Sequence, residues 1–376
     1  MKVPLVSVIM PTYCRNRDGF LQAAIESVLG QDYKNHELLI VDDGSVDGSK
    51  ELIEGYASQD DRVKYIRLER NTGLPAWTTW LAFQRSSGEY IAWCFDDCVL
   101  LPNCLATLVG ALEDNPSASM AYAQAFIERP SGTGVVIGRP LDRVDLLRGL
   151  NHIPQSASMQ RRELFYAVGW VDPHLLLVRK NDWDLWLRVV ERCEVVFVPE
   201  VLAHERGPTL YDSLGQSRSM FSDLVVKYRD NPRNHLLHPD ILGSYDPFGL
   251  KHVANFSDDD VKRFQKLLLE HWARTLNIAE IVAWAKANGD NLLWKRVNAK
   301  NPAETERACA LLTGIVEYFQ TRERDLAERT ATLEGLAQER LELLERINKR
   351  LRFLLPLWRL YKAVVRRGED AGILTG

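Results

Sequence analysis

Five things are missing from this 376-residue chain, and each absence argues against a class of protein. No apolar run approaches the roughly 20 residues that a helix needs to span a bilayer. No two of its six cysteines form a C-x-x-C, and no histidine stands at zinc-ligand spacing from the cluster Cys94, Cys98 and Cys104. With Cys14, Cys193 and Cys309 all six read as reduced thiols. There is no excess of one charge: the net value of −4 argues against a general nucleic-acid binder. No Gly-x-Gly-x-x-Gly follows the first strand-like run, where Met10-Pro-Thr-Tyr-Cys-Arg15 has no glycine, and this argues against a dinucleotide oxidoreductase. The amino-terminal residues lack a signal-peptide layout, because Val6–Met10 leads straight into a turn. Reduced thiols and no leader together predict a cytoplasmic protein.

The composition, 46% hydrophobic and 26% charged, is that of an ordinary soluble chain. Its first part alternates short apolar runs with helical spacing. Strands are expected at Val6–Met10, Leu38–Val41, Val63–Leu68 and Tyr90–Phe95, with helices at Phe20–Leu29, from Ser49 and at Leu74–Arg85. This order predicts a parallel sheet with right-handed crossovers. Further strands are expected at Met120–Ile127 and Val195–Val198, and helices at Glu163–Val168 and Asp182–Arg192.

The most informative stretch is Tyr90–Leu105. An apolar strand stops there at two adjacent carboxylates, Asp96 and Asp97, ahead of a helix started by Pro102. Charge at the carboxyl end of a buried strand is costly unless it faces a cleft or holds a cation. Open α/β sheets bind ligands at that edge, and paired carboxylates suit a divalent metal on a nucleotide's phosphates. A solvated turn is the plainer alternative. Three more turns end strands on the same edge: Pro11-Thr-Tyr-Cys-Arg15, Val41-Asp-Asp-Gly-Ser-Val-Asp-Gly-Ser49 and Arg70-Asn-Thr-Gly73.

Together these motifs resemble the family 2 glycosyltransferases, whose catalytic domain has the GT-A fold. The resemblance runs from about Leu5 to about Arg206 and takes in Ile153–Arg162, Val168–Asp172 and Asn181–Arg188. It implies an α/β fold: a GT-A, Rossmann-like, mostly parallel sheet flanked by helices. It implies that Pro11, Thr12 and Tyr13 pack on the base and ribose of a nucleotide-sugar donor, UDP- or dTDP-linked, with Arg15 near the diphosphate. It implies that Asp43 accepts from the pyrimidine ring, that Asn71 and Gly73 shape the donor pocket, and that Asp96 reaches the ribose or sugar. Asp97 would bind Mg²⁺ or Mn²⁺, with His204 as a further ligand. Asp182 would be the general base of an inverting transfer to a saccharide or lipid-linked acceptor, as in surface polysaccharide synthesis.

The chain departs from the family pattern in three places. Phe95 replaces the first Asp of the metal motif, Asn181 replaces a Glu beside Asp182, and Thr78 stands where many members carry an Arg. Arg15, Arg161 and Arg162 are candidates to replace that charge. The departures support a rival reading, a catalytically decayed GT-A fold acting as a coiled-coil scaffold or nucleotide-sugar binding protein.

The resemblance places a transferase domain at 1–225. Residues 226–256 read as a linker or irregular cap, rich in Pro, His and Asn. An all-α region follows at 257–320, its start marked by Ser257 and the acidic turn Asp258–Asp260. Residues 321–355 carry an imperfect heptad pattern, with Leu326, Leu333, Ile347 and Leu354 in one series, and predict a coiled coil and a homo-oligomer, a dimer in its simplest form. Residues 356–376 form a basic amphipathic tail suited to peripheral contact with the inner face of a membrane.

Overall fold

A computed structural model describes residues 3–16, 19–128, 133–206, 222–231, 233–249 and 256–275, all within one compact unit. The expected coiled coil, the basic tail and the helical region past residue 275 lie outside the described residues.

The first part alternates as its hydrophobic pattern requires. β1 (Val6–Thr12), α1 (Phe20–Leu29), β2 (His36–Asp42), α2 (Ser49–Gln59), β3 (Val63–Arg67), α3 (Pro75–Arg85) and β4 (Tyr90–Trp93) follow one another. The strands lie in the order β3, β2, β1, β4, all parallel. β1 and β2 are apolar on both faces because both faces are covered. Val8, Met10 and Ile40 join Leu21 and Ile25 of α1 in one core. Phe83 of α3 belongs to a second, aromatic core, in which Trp170 lies 4.5 Å from both Phe83 and Phe165, with Trp93 alongside. α3 starts on Pro75, a residue preset for the first helical turn.

The second part is less regular. It contains β5 (Cys98–Leu100), α4 (Cys104–Glu113), β6 (Ala118–Glu128), β7 (Gly134–Ile137), α5 (Arg143–Leu147), β8 (Ser158–Arg161), α6 (Arg162–Val168), α7 (Asn181–Arg192) and β9 (Glu194–Glu205). Beyond β4 the sheet continues β8, β6, β9, β5, and β7 pairs with β6. β8 is antiparallel to both neighbours, β9 runs parallel to β6, and β5 is antiparallel to β9. The result is a mixed α/β sheet flanked by helices, consistent with the GT-A expectation. Asp97 is followed by the short strand β5 before α4 begins, which the sequence pattern did not show. β5, β7, β8 and α5 span three to five residues each, too few to display a period.

α8 (Ser222–Arg229) runs across the boundary expected at 225, and residues 233–249 pack down as a cap rather than a free linker. Tyr228, Leu237 and Leu242 are buried, and Trp170 donates its backbone N–H to Leu237 at 2.7 Å. α9 (Asp258–Thr275) begins where the sequence indicates. The Ser257 hydroxyl donates to the Asp260 carboxylate at 2.9 Å and accepts the Asp260 N–H at 3.3 Å, a reciprocal cap.

Candidate active site

The parallel strands β1, β2 and β4 deliver their carboxyl ends to one edge, and the turns there hold one another. Asp43 donates its N–H to the Thr12 carbonyl at 2.9 Å. Its carboxylate accepts from the Thr72 N–H at 2.8 Å, the Thr72 hydroxyl at 3.0 Å and the Gly73 N–H at 3.0 Å. Burial raises the Asp43 pKa against the pull of those donors. Gly44 is obligatory by two measures: its φ is +78°, and a Cβ there would stand 2.6 Å from the Arg70 carbonyl carbon. Asn71 Oδ1 accepts the Gly73 N–H at 2.7 Å, closing the third turn. Ser45 and Asp47 grip the first turn, accepting from Cys14 N–H at 2.8 Å and Asn16 N–H at 2.9 Å. Cys14 there adopts a left-handed φ of 53°. Pro11, Thr12, Tyr13, Arg15, Asp43, Asn71 and Gly73 are thus assembled on one edge, with Tyr13 exposed.

Asp96 belongs to the same assembly. It accepts from the Tyr13 N–H at 3.2 Å, and the Arg15 Nε stands 3.7 Å from it. Burial, then repulsion from Asp97, pushes its pKa up to about 7. Asp97 takes another direction. Its carboxylate lies 3.6 Å from the Cys98 thiol and its carbonyl accepts the Arg206 N–H at 3.0 Å, which ties it to the end of β9; burial raises its pKa too.

Asp182 lies in the first turn of α7. Asn151 donates its side-chain amide to Asp182 Oδ2 at 2.8 Å, Asn181 Oδ1 accepts the Asp182 N–H at 2.7 Å, and burial raises the Asp182 pKa. Asp184 faces away, as helix geometry demands. It is buried against Arg188 at 3.1 Å and Arg229 at 3.0 Å and also pairs with Arg233. Arg233 pairs at 2.6 Å with Asp172, which also accepts from Tyr228 at 2.8 Å and Tyr245 at 2.9 Å. This buried network clamps α7 to the cap formed by α8 and residues 233–249.

The sequence reading missed Glu205. It pairs with Cys98 across the β5–β9 ladder, accepts from the Ser156 hydroxyl, and is raised in pKa by burial and by its neighbours Asp97 and Asp182. The only signal available was its place beside His204 at the end of a strand. His204 has a different setting. Alternation along β9 turns it to the face opposite Glu205, where it stacks edge-on against Phe126 at 5.0 Å and stands 3.6 Å from Glu128. Arg161 and Arg162 lie away from the edge that carries Asp43 and Asp96. They bond to Tyr90, Ala118, Leu112, Gly88 and Ser86 at the amino end of β4. Thr78 is buried and bonds back to the Pro75 carbonyl.

Among the described residues no group of three or more His, Cys, Asp or Glu is placed to hold a metal ion. The oxygen donors Asp96 and Asp97 nonetheless fit a hard cation of the Mg²⁺ kind, which takes one or two carboxylates and completes its shell from phosphates and water.

Residues 7–169 match the model of the glycosyl transferase family 2. The chain is 33% identical over 124 residues to a GalNAc(5)-diNAcBac-PP-undecaprenol beta-1,3-glucosyltransferase of Campylobacter jejuni, covering 33% of this chain and 38% of that one. It is 39% identical over 151 residues to an uncharacterized glycosyltransferase of Haemophilus influenzae, covering 40% and 59%. The chain therefore spans less than two thirds of either relative. A crystal structure of S. aureus TarS 1-349 in complex with UDP-GlcNAc is similar over 76% of this chain and 80% of that one, at 15% identity and a TM-score of 0.49, too distant a likeness for any role to be carried across. No helix among the described residues is long and apolar enough to cross a membrane. Residues 7–169 are thus similar to the glycosyl transferase family 2 domain.

Proposed function

We propose that the chain is an inverting glycosyltransferase that moves a sugar from a UDP- or dTDP-sugar to a saccharide or lipid-linked acceptor, with a divalent cation, in surface polysaccharide synthesis. The observation that carries this reading is the meeting of two sets of residues. The turn carboxylates Asp43, Asp96 and Asp97 share a sheet edge, and Glu205 feels both Asp97 and Asp182. The electrostatic link through Glu205 supports reading the carboxylates of the sheet edge and Asp182 as parts of one site.

In that space the donor's base and ribose lie on Pro11, Thr12 and Tyr13, with Asp43 facing the pyrimidine. Arg15, beside Asp96, stands near the diphosphate. Asp97, with Asp96, would hold a cation that offsets charge on the departing diphosphate. Asp182 takes the proton of the acceptor hydroxyl as that oxygen attacks the anomeric carbon. The bond from that carbon to the diphosphate oxygen breaks on the opposite side, so one displacement inverts the centre. Asn151 fixes the carboxylate of Asp182 for this task. Glu205 adds a nearby negative charge that strengthens Asp182 as a base.

The test is a thermal-shift panel of UDP-, dTDP- and GDP-sugars with and without Mn²⁺, followed by product analysis with the stabilising donor. Stabilisation by one nucleotide class that needs metal and vanishes in Asp97→Ala, with hydrolysis or transfer of the sugar, supports the reading. Binding without turnover under any acceptor would move the chain to the decayed-scaffold reading, and no nucleotide binding at all would end the donor-site assignment.

A further inference from the structure

Exposed apolar side chains are ordinary when scattered singly, but a contiguous group rimmed by charge marks an interaction surface. Such a group stands beside Asp182. In α5 and the turn after it, Val144, Leu147 and Leu150 are 56%, 69% and 57% exposed. Val144 and Leu147, three apart, share one side of the helical turn; Leu150 follows the left-handed Gly149 (φ +86°), and its N–H donates back to the Asp145 carbonyl at 3.0 Å, which holds it against the end of the helix. This segment is not a loose loop. Leu146 is buried on the other side, and the Trp183 indole N–H donates to its carbonyl at 2.7 Å, which fastens α5 to α7 next to Asp182. Asn151, one residue past the patch, bonds to Asp182 itself.

The charges of the segment are asymmetric. Its two carboxylates are engaged: Asp142 caps α5 by accepting from the Val144 and Asp145 N–H groups, and Asp145 pairs with Arg139. Arg143 and Arg148 are exposed, and neither has an ion-pair partner among the described residues. The outward surface is therefore apolar at its tips and positive at its flanks. That is the pattern a bilayer interface rewards, with apolar groups at the acyl boundary and guanidinium groups among lipid phosphates.

We infer that Val144, Leu147 and Leu150, flanked by Arg143 and Arg148, dock the protein on an anionic lipid surface and so bring the acceptor side of the site, through Asn151 and Asp182, against the membrane. The docking is independent of the proposed chemistry, and its test reads no activity.

The full chain is floated with vesicles of phosphatidylcholine alone and of phosphatidylcholine mixed with phosphatidylglycerol. Wild type co-floats with the anionic vesicles, and the variant Val144→Ser/Leu147→Ser/Leu150→Ser loses about tenfold or more in partitioning, as the loss of buried methylenes requires. Arg143→Gln/Arg148→Gln loses less and flattens the dependence on salt. Unfolding midpoints equal to wild type show that both variants fold. Wild type that ignores anionic vesicles, or a triple variant that floats as wild type does, would overturn the inference. So would a triple variant whose sedimentation shifts to a smaller species while wild type stays off the vesicles, because a second copy of the chain would then be what covers the patch.

Discussion

The sheet edge proposed to hold the donor and the region around Asp182 proposed to meet the acceptor, called the donor edge and the acceptor side below, are held together by different kinds of bond. At the donor edge, carboxylates are met chiefly by backbone N–H groups of neighbouring turns: Tyr13 for Asp96, Thr72 and Gly73 for Asp43, Ser45 for Asp42. Once parallel strands stand side by side, those donors come into place with the backbone. On the acceptor side the contacts are between side chains far apart in sequence. Asn151 reaches Asp182 across 31 positions, Ser156 reaches Glu205 across 49, and Arg233 reaches Asp172 across 61. A site built by backbone depends on the residues that set its turns, such as Gly44 and Gly73, whereas one built by side chains depends on each partner.

The largest expected effect follows from that contrast. Asp182→Asn keeps the shape of α7 and its bond to Asn151 but removes the proton acceptor. We expect kcat to fall by about 10²–10⁴, while the thermal shift given by the donor nucleotide is unchanged. Equal losses in donor binding and turnover would mean that the two sides are not separable.

Stability should divide in the same way. Arg233→Ala leaves Asp172 and Asp184 buried without their shared cation, at a cost of about 3–5 kcal/mol. At the donor edge Arg67 is a third exposed and stands 3.5 Å from Asp42, which keeps hydrogen bonds from Ser45 and Tyr65. Arg67→Ala should cost no more than about 1 kcal/mol. Urea unfolding of the two variants measures the difference, and similar midpoints would erase the distinction.

The same contrast explains what the sequence revealed. β1 to β4 and their turns were legible because strand and helix periods alternate without interruption and because Asp-Asp-Gly-Ser and Asn-Thr-Gly are turn chemistry. Asp182 was legible only through resemblance. Glu205 was not, because nothing in His204-Glu-Arg206 says which of two adjacent side chains faces inward; that depends on the register of β9 against β5. The clamp of Arg233 on Asp172 and Asp184 lay hidden in a segment whose composition resembled a linker. Prolines and histidines there signal irregular backbone, and irregular backbone can still be buried when its side chains find partners.

A smaller effect tests where the donor edge touches the helical extension. Gly73 has φ +62°, and a Cβ there would lie 2.8 Å from His271 and 2.9 Å from Thr275 of α9. Gly73→Ala should cost about 1–3 kcal/mol and weaken nucleotide binding, since the Gly73 N–H serves both Asp43 and Asn71. Adding His271→Ala together with Thr275→Ser makes room for the methyl group without relieving the backbone strain. Partial recovery of nucleotide affinity in the combined variant would show that α9 braces the Gly73 loop; no recovery would assign the whole cost to φ.

The last prediction concerns pH and joins the two sides. Burial holds the carboxyl pKa of Asp182, Asp97 and Glu205 above the usual range, and that of Asp96 at about 7. In the proposed mechanism Asp182 must be ionised to accept a proton and Asp96 and Asp97 to bind a cation, so kcat/KM should fall as pH drops from neutrality through these raised values. Glu205 repels Asp97 and Asp182 when ionised, which disfavours their own ionisation. Glu205→Gln removes that repulsion while keeping a hydrogen-bond acceptor for Ser156. The carboxyl groups that remain should then ionise more readily, and the acid limb should move to lower pH by up to about one unit, with kcat at the plateau reduced because Asp182 is a weaker base. A limb that stays fixed while the plateau falls would place Glu205 in substrate contact rather than in the field around Asp182. A limb that rises would mean that Glu205 stabilises the ionised form of its neighbours through a shared cation, and Asp97 would then hold that cation with Glu205 as its second carboxylate.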